Sequence, residues 1–273
     1  MRLLTATFTA LMISALAVTA QSTSLLDRYL TALDMDTVFD VLRDEGVVAG
    51  QDMSGSDGVS PSPAWVARLE RIYDPEKAKR AFLEGMETIK DVAASEDALA
   101  FFETDLGARI VQVEIDARKA LNSDGGEDAA AAKVAEIRKE DPALYLMYQE
   151  FIKVNDLVES NVAGALNSNL AFYRGMATSE SYAEGLSESF MLNSVWEQEP
   201  EIRQEMEEWT INFSSVAYSG LTKAELQRYI DISKTPAGQR LNTVLFAGFD
   251  KMFEQQSFEL GRATAEFMIG EDT

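Results

Sequence analysis

Apolar residues recur at steps of three and four along nearly the whole chain. Ala78, Phe82, Met86, Ile89 and Ala93 fall on one helical face. So do Leu99, Phe102, Leu106, Ile110, Val113, Ala117 and Leu121, and then Phe151, Val154, Val158, Val162 and Ala165. A fourth stripe joins Ile202, Met206, Trp209, Phe213 and Val216. No period-two alternation is sustained anywhere, so the pattern predicts an all-α protein.

Capping signals divide these stripes into elements. Ser62-Pro63, Asp74-Pro75, Asp141-Pro142 and Thr235-Pro236 each set a capping side chain before a proline at the first helical position, and Glu199-Pro200 is a weaker version. Thr222 and Glu225 form a capping box, with Leu221 and Leu226 as its hydrophobic staple. Gly46, Gly175 and Gly220 read as stops. The glycine-rich stretch from Gly46 to Pro61 reads as a surface loop, and Asn122 to Asp128 as a loop or helix interruption. About ten helices result, near 24–45, 63–73, 75–93, 96–103 and 105–139, then 142–175, 180–197, 200–218, 223–234 and 236–269.

The two sets of five follow the same order of lengths. At an offset of 131 residues, Thr104-Asp105-Leu106-Gly107-Ala108-Arg109-Ile110 meets Thr235-Pro236-Ala237-Gly238-Gln239-Arg240-Leu241. Thr, Gly and Arg coincide and the flanking apolar positions stay in phase, which reads as an internal duplication. The expected architecture is two related five-helix halves, 21–141 and 142–273, packed as one bundle-like body. The last predicted helix would be about 50 Å long, against a diameter of roughly 36 Å for a compact half. Its apolar stripe nonetheless continues through Leu260, Ala263 and Phe267, with Phe246 and Phe253 widening it and Phe258 on the opposite face. The expected cover is the other half, chiefly its matching helix from 105 onward.

Composition changes this picture at the N-terminus. Arg2, an uncharged stretch from Leu3 to Val18 and the small residues of Val18-Thr19-Ala20 read as a secretory signal peptide over 1–20, cleaved before Gln21. With no Cys in the chain, neither lipid attachment there nor disulfides elsewhere are available, and stability must come from packing. Of the 24 basic residues, removal of Arg2 leaves 23 against 46 acidic ones, a net charge of −23. Such a field disfavours nucleic acid and anionic membrane surfaces. The longest further uncharged stretch, Ser160 to Tyr173, is 14 residues with three Asn, too short and polar to span a bilayer.

The capped step itself carries a likeness. Leu221-Thr222-x-x-Glu225-Leu226, followed by Ser233-x-Thr235-Pro236-x-Gly238-Gln239, resembles the bacterial family called domain of unknown function 2059. The match is clearest over 200–269. Residues 97–118 look like a degenerate earlier copy, with Phe101-Phe102 at the family's aromatic step and Asp105 in place of the proline. The second copy has Ile232-Ser233 where the family prefers aromatic residues. The resemblance implies an exported helical protein of unknown activity and brings no catalytic residues.

The chain has no His and no Cys, which removes Ser-His-Asp triads, cysteine nucleophiles and ordinary zinc sites. Phosphate-binding glycine loops are missing as well. Asp52 to Gly58 is out of register for a calcium loop, with Pro63 where the bidentate glutamate belongs. Carboxylates remain: Glu197, Glu199, Glu201, Glu205, Glu207 and Glu208 crowd one segment, read first as a solvated helix face and alternatively as acid–base or cation-binding groups. Trp65, Trp196 and Trp209 read first as core packing and alternatively as a ligand cleft. Arg109 and Arg240 read first as ion pairs joining helices and alternatively as an anion or partner contact. No catalytic, cofactor-binding or metal-binding residue is singled out. The expected function is a non-enzymatic, periplasmic or secreted factor that binds an envelope protein or peptide. The alternative is a carboxylate-based hydrolase acting on cell-wall material.

Overall fold

A computed structural model of the protein describes residues 24–54 and 61–271. The predicted leader and its cleavage site lie outside the described residues. Within them every regular element is helical and none is a strand. The elements are α1 (Leu25–Ala32), α2 (Met35–Ser54), α3 (Pro63–Ile72), α4 (Pro75–Glu87), α5 (Glu96–Phe102), α6 (Asp105–Leu121) and α7 (Gly126–Glu140). They continue as α8 (Pro142–Val154), α9 (Leu157–Met176), α10 (Glu180–Ala183), α11 (Glu188–Glu197), α12 (Glu199–Ala217), α13 (Lys223–Ser233) and α14 (Pro236–Glu271). Short 3-10 turns, Val92–Ser95 and Tyr218–Gly220, precede α5 and follow α12.

The expected caps form as hydrogen bonds. The backbone amides of Trp65, Lys77 and Leu144 donate to Ser62, Asp74 and Asp141 at 3.2, 3.0 and 3.2 Å. Thr222 and Glu225 close their capping box. Thr104 and Thr235 behave alike: each hydroxyl accepts from the amide of the Gly three residues on, at 3.2 and 3.0 Å. Each also donates to the carbonyl three residues back, at 2.6 and 2.7 Å. A Cβ on Gly107 would collide with the Phe101 carbonyl, and one on Gly238 with the Ile232 carbonyl. In both places the missing side chain lets the end of a short helix rest on the first turn of the next.

Several expected boundaries are corrected. Gly46 does not stop a helix, whereas Gly175 stands in the last turn of α9, which ends at Met176. Gly46 lies inside α2 against the Tyr73 ring, so α2 extends through Ser54 and replaces the first part of the expected loop. The helices expected at 24–45, 75–93 and 142–175 are each interrupted, next to Asp34, Asp91 and Asp156, all three with positive φ. The 105–139 segment breaks at Asn122, where Gly125 takes a left-handed conformation. The 180–197 segment divides into α10 and α11.

Helix α14, 36 residues and about 54 Å long, is the spine of the fold. It runs beside α9 and α4, and glycines on both sides bring backbones together. Gly175 and Gly261 place α9 against α14, where a Cβ would strike the Phe258 or Phe172 carbonyl. Gly85 meets the Ala247 carbonyl, so α4 approaches α14 as closely. Phe82 and Phe249 meet edge-on across that contact at 5.0 Å. The main core gathers residues from α1, α2, α4 to α6, α8, α13 and α14. A second cluster joins Trp65, Leu69 and Ile72 of α3 to Leu260 and Ala263 at the far end of α14, with Phe267 5.0 Å from the Trp65 ring. The far end of α14 is therefore covered by α3 and not by the expected α6. Phe258 is exposed.

Candidate functional site

One face of α14 is not covered. Phe246, Phe249 and Phe253 line a cleft of about 470 Å³ walled by α2, α6, α8, α9, α12, α13 and α14. On α12 the predicted stripe continues as Trp209 and Phe213, whose rings stack at 5.1 Å. Helix α9 supplies Ser160, Asn161, Gly164 and Ser168, small residues from the uncharged stretch noted in the sequence. The kink at Asn155-Asp156 turns α8 into α9, and the Asn242 amide fastens it by donating to the Asn155 carbonyl at 2.6 Å.

Glu114 of α6 lines this cleft. It is one turn from Ile110, which is fully buried, so helical phase turns it inward among apolar neighbours. Tyr218 and Tyr229 both donate to Glu114 Oε1, at 2.7 and 3.1 Å. Phe151 holds these two rings in place, 5.1 Å from Tyr218 and 4.8 Å from Tyr229. Among the described residues no hydrogen bond reaches Oε2. Protein surrounds the carboxyl, yet a water-sized sphere still reaches the residue through the cleft.

Desolvation dominates the electrostatics. It pushes the Glu114 carboxyl up to about 7, against the two tyrosine donors, which favour the ionised form. Burial, and then the nearby Glu114 charge, pushes both phenols well above their ordinary range. Asp250, on α14 at the cleft wall, is pushed up to about 6 by burial and then by Glu254. Among the described residues Arg118 is the one basic side chain in the wall, and it is already engaged. It grips Glu45 with Nε and Nη2, both at 2.8 Å, and its guanidinium sits 5.8 Å from the Trp209 ring centre.

Of the tryptophans, arginines and crowded glutamates weighed as candidate chemistry in the sequence, only Trp209 belongs to the cleft. Trp65 is core, as read first, and its indole N–H donates to the Gly50 carbonyl at 2.9 Å. Trp196 is 65% exposed, which corrects the core reading for that residue. None of the six crowded glutamates lines the cleft, and Glu199 pairs with Arg203 at 2.7 Å. Among the described residues no three carboxylates converge as a metal site. Arg109 pairs with Glu225 and so joins α6 to α13, whereas no ion pair is found for Arg240 among the described residues. Glu114, Asp250, Tyr218 and Tyr229 were not singled out from the sequence. The available signal was a carboxylate three and four residues from buried positions of the α6 stripe.

No family model matches the chain, and no curated protein or solved structure matches it either.

Proposed function

We propose that this chain is an exported, non-enzymatic binding protein of the bacterial envelope, and that the aromatic cleft beside Glu114 holds its ligand. One observation carries the reading: a cleft of about 470 Å³ with few converging polar groups, one of them a carboxyl with a perturbed titration. That size and lining suit a small molecule or one large peptide side chain. Ala165 lines the cleft, so Ala165→Trp should fill it without unfolding the chain. The neutral dye Nile red should bind the parent and not the variant. Equal binding by two equally folded proteins would remove the cleft as the ligand site.

Export rests on the N-terminal pattern. Intact mass of exported material should match a chain beginning at Gln21, and a retained N-terminus in the membrane fraction would refute this. No helix among the described residues is long and apolar enough to cross a membrane.

A second reading has its own support. Glu114 and Asp250 share one cleft with their carboxyls pushed up to about 7 and about 6, so near neutral pH one can hold a proton while the other is ionised, the pairing that acid–base catalysis on cell-wall sugar or peptide uses. Turnover of purified cell wall, lost in Glu114→Gln, would favour it over pure binding.

The chain organisation belongs to the same proposal: a leader over 1–20 and related halves at 21–141 and 142–273, akin to domain of unknown function 2059. The matching Thr-to-Gly caps at Thr104 and Thr235 support this. Superposing the halves should lay Gly107 on Gly238 and Arg109 on Arg240, and unrelated placements would make the repeat an accident of composition.

A further inference from the structure

We infer that the cleft selects a small organic cation, its ammonium group placed against Glu114 Oε2 and the aromatic walls. The inference rests on the reading of the cleft as a ligand site and adds the charge of what it takes. Four observations lead to it. First, neither Glu114 nor Asp250 has a Lys or Arg partner among the described residues. The one nearby cation, Arg118, is neutralised by Glu45. Second, both tyrosines donate to the same oxygen of Glu114, which leaves the Oε2 side of the carboxylate for a positive charge from outside. Third, six further rings, Phe151, Trp209, Phe213, Phe246, Phe249 and Phe253, stand in the wall among aliphatic and small polar residues, and ring faces attract cations once water is displaced. Fourth, the alternatives fit less well. An anion meets two carboxylates in a chain of net charge −22. A neutral apolar ligand, such as the dye, can enter over protonated carboxyls but pairs with neither, so it gains less than a cation of the same shape. A metal ion lacks the converging oxygens it needs.

Proton linkage sharpens the inference. The groups facing Glu114 are Tyr218 and Tyr229, with the Tyr148 ring behind Tyr218. Arg118 stands on the same helix, bound to Glu45 of α2, and Asp250 stands at the α14 wall with Glu254 behind it. None of these supplies a free positive charge. With the Glu114 carboxyl at about 7, an arriving cation favours the ionised form and expels a proton near neutral pH.

The test uses choline and its uncharged carbon isostere, 3,3-dimethylbutan-1-ol, titrated calorimetrically into the full chain purified after export. The Trp209 indole resonance reports occupancy. Choline should bind at least about tenfold more tightly than the isostere. Its affinity should rise about tenfold between pH 6 and pH 8, following the ionised fraction of Glu114. Buffers of different ionisation enthalpy should show proton release at pH 7. Glu114→Gln should remove most of the affinity and most of the pH dependence while the Trp209 resonance of the free protein stays in place. Glu114→Asp, retaining the charge, should keep the pH dependence with weakened binding. Equal binding of the two probes without pH dependence overturns the cation and leaves the cleft as a ligand site. Binding of neither probe overturns the cation too, and the Nile red comparison with Ala165→Trp then decides separately whether the cleft binds anything.

Discussion

The surroundings of Glu114 resist its ionisation, because burial disfavours the charged form more than the two tyrosine donors favour it. An ordinary glutamate releases its proton near 4.5, while this one holds it to about 7 when folded. Between those pH values the folded chain keeps a proton that the unfolded chain has lost. Stability from this group is therefore full at low pH, falls as pH rises through that window, and levels off above it. The loss is on the order of 3 kcal/mol. Asp250, raised from 3.8 to about 6, acts in the same direction over a lower window. Glu114→Gln keeps a carbonyl for the two tyrosines and removes the charge. Urea titrations should find it more stable than the parent at pH 8, by up to about 3 kcal/mol, and nearly equal to it at pH 5. The same difference at both pH values would contradict this electrostatic account. At this scale the sequence concealed the site. Among 46 acidic residues, one carboxylate beside an apolar stripe has no local mark of burial, and the tyrosines that hold it lie more than 100 residues away.

Among the helices, periodicity and caps located most elements, and the misses share a cause. Phe151, Val154, Val158 and Val162 keep steps of three and four across Asn155-Asp156, so the stripe shows no sign of the break between α8 and α9. The break consists of one residue in left-handed conformation, Asp156 with φ 50°. Most L-residues pay about 1–2 kcal/mol there, and Asp is among the few that adopt it readily. Asp34 works the same way between α1 and α2, while Asp91 closes a longer link, 88–91, after α4, and a sequence this acidic offers no means of telling such an Asp from a solvated one. Asp156 is exposed and its side chain makes no cap hydrogen bond, so conformation alone should govern its substitutions. Asp156→Gly should be neutral or stabilising by up to about 1 kcal/mol, and Asp156→Ala should cost about 1 kcal/mol. Denaturation midpoints with unchanged slope measure both. If Ala matches Gly, the backbone at this joint is not what holds Asp in place.

For the whole molecule, hydrophobic stripes tell which faces turn inward but not what meets them or whether the space is filled. Phe246 and Phe253 widened the α14 stripe, and in the structure that widened side borders the cleft. The same limit misplaced the cover of the far end of α14. Leu260, Ala263 and Phe267 are covered by Trp65, Leu69 and Ile72 of α3 and not by α6. The small α3 cluster depends on this end of α14, since α3 packs otherwise mainly on α2. Ending the chain after Gln255 would leave the cleft residues Phe246 to Phe253 in place while removing Leu260, Ala263 and Phe267. Loss of buried Leu260 alone is worth about 2–5 kcal/mol, and Trp65 would lose its partner ring at 5.0 Å. The truncated chain should therefore unfold at markedly lower urea, with Trp65 emission shifted to the red before the main transition as α3 separates from the core. The choline and Nile red measurements should change little at low urea, because their site lies on the other side of the truncation. A truncated chain that stays cooperative and as stable as the parent would mean that the end of α14 does not join the two halves.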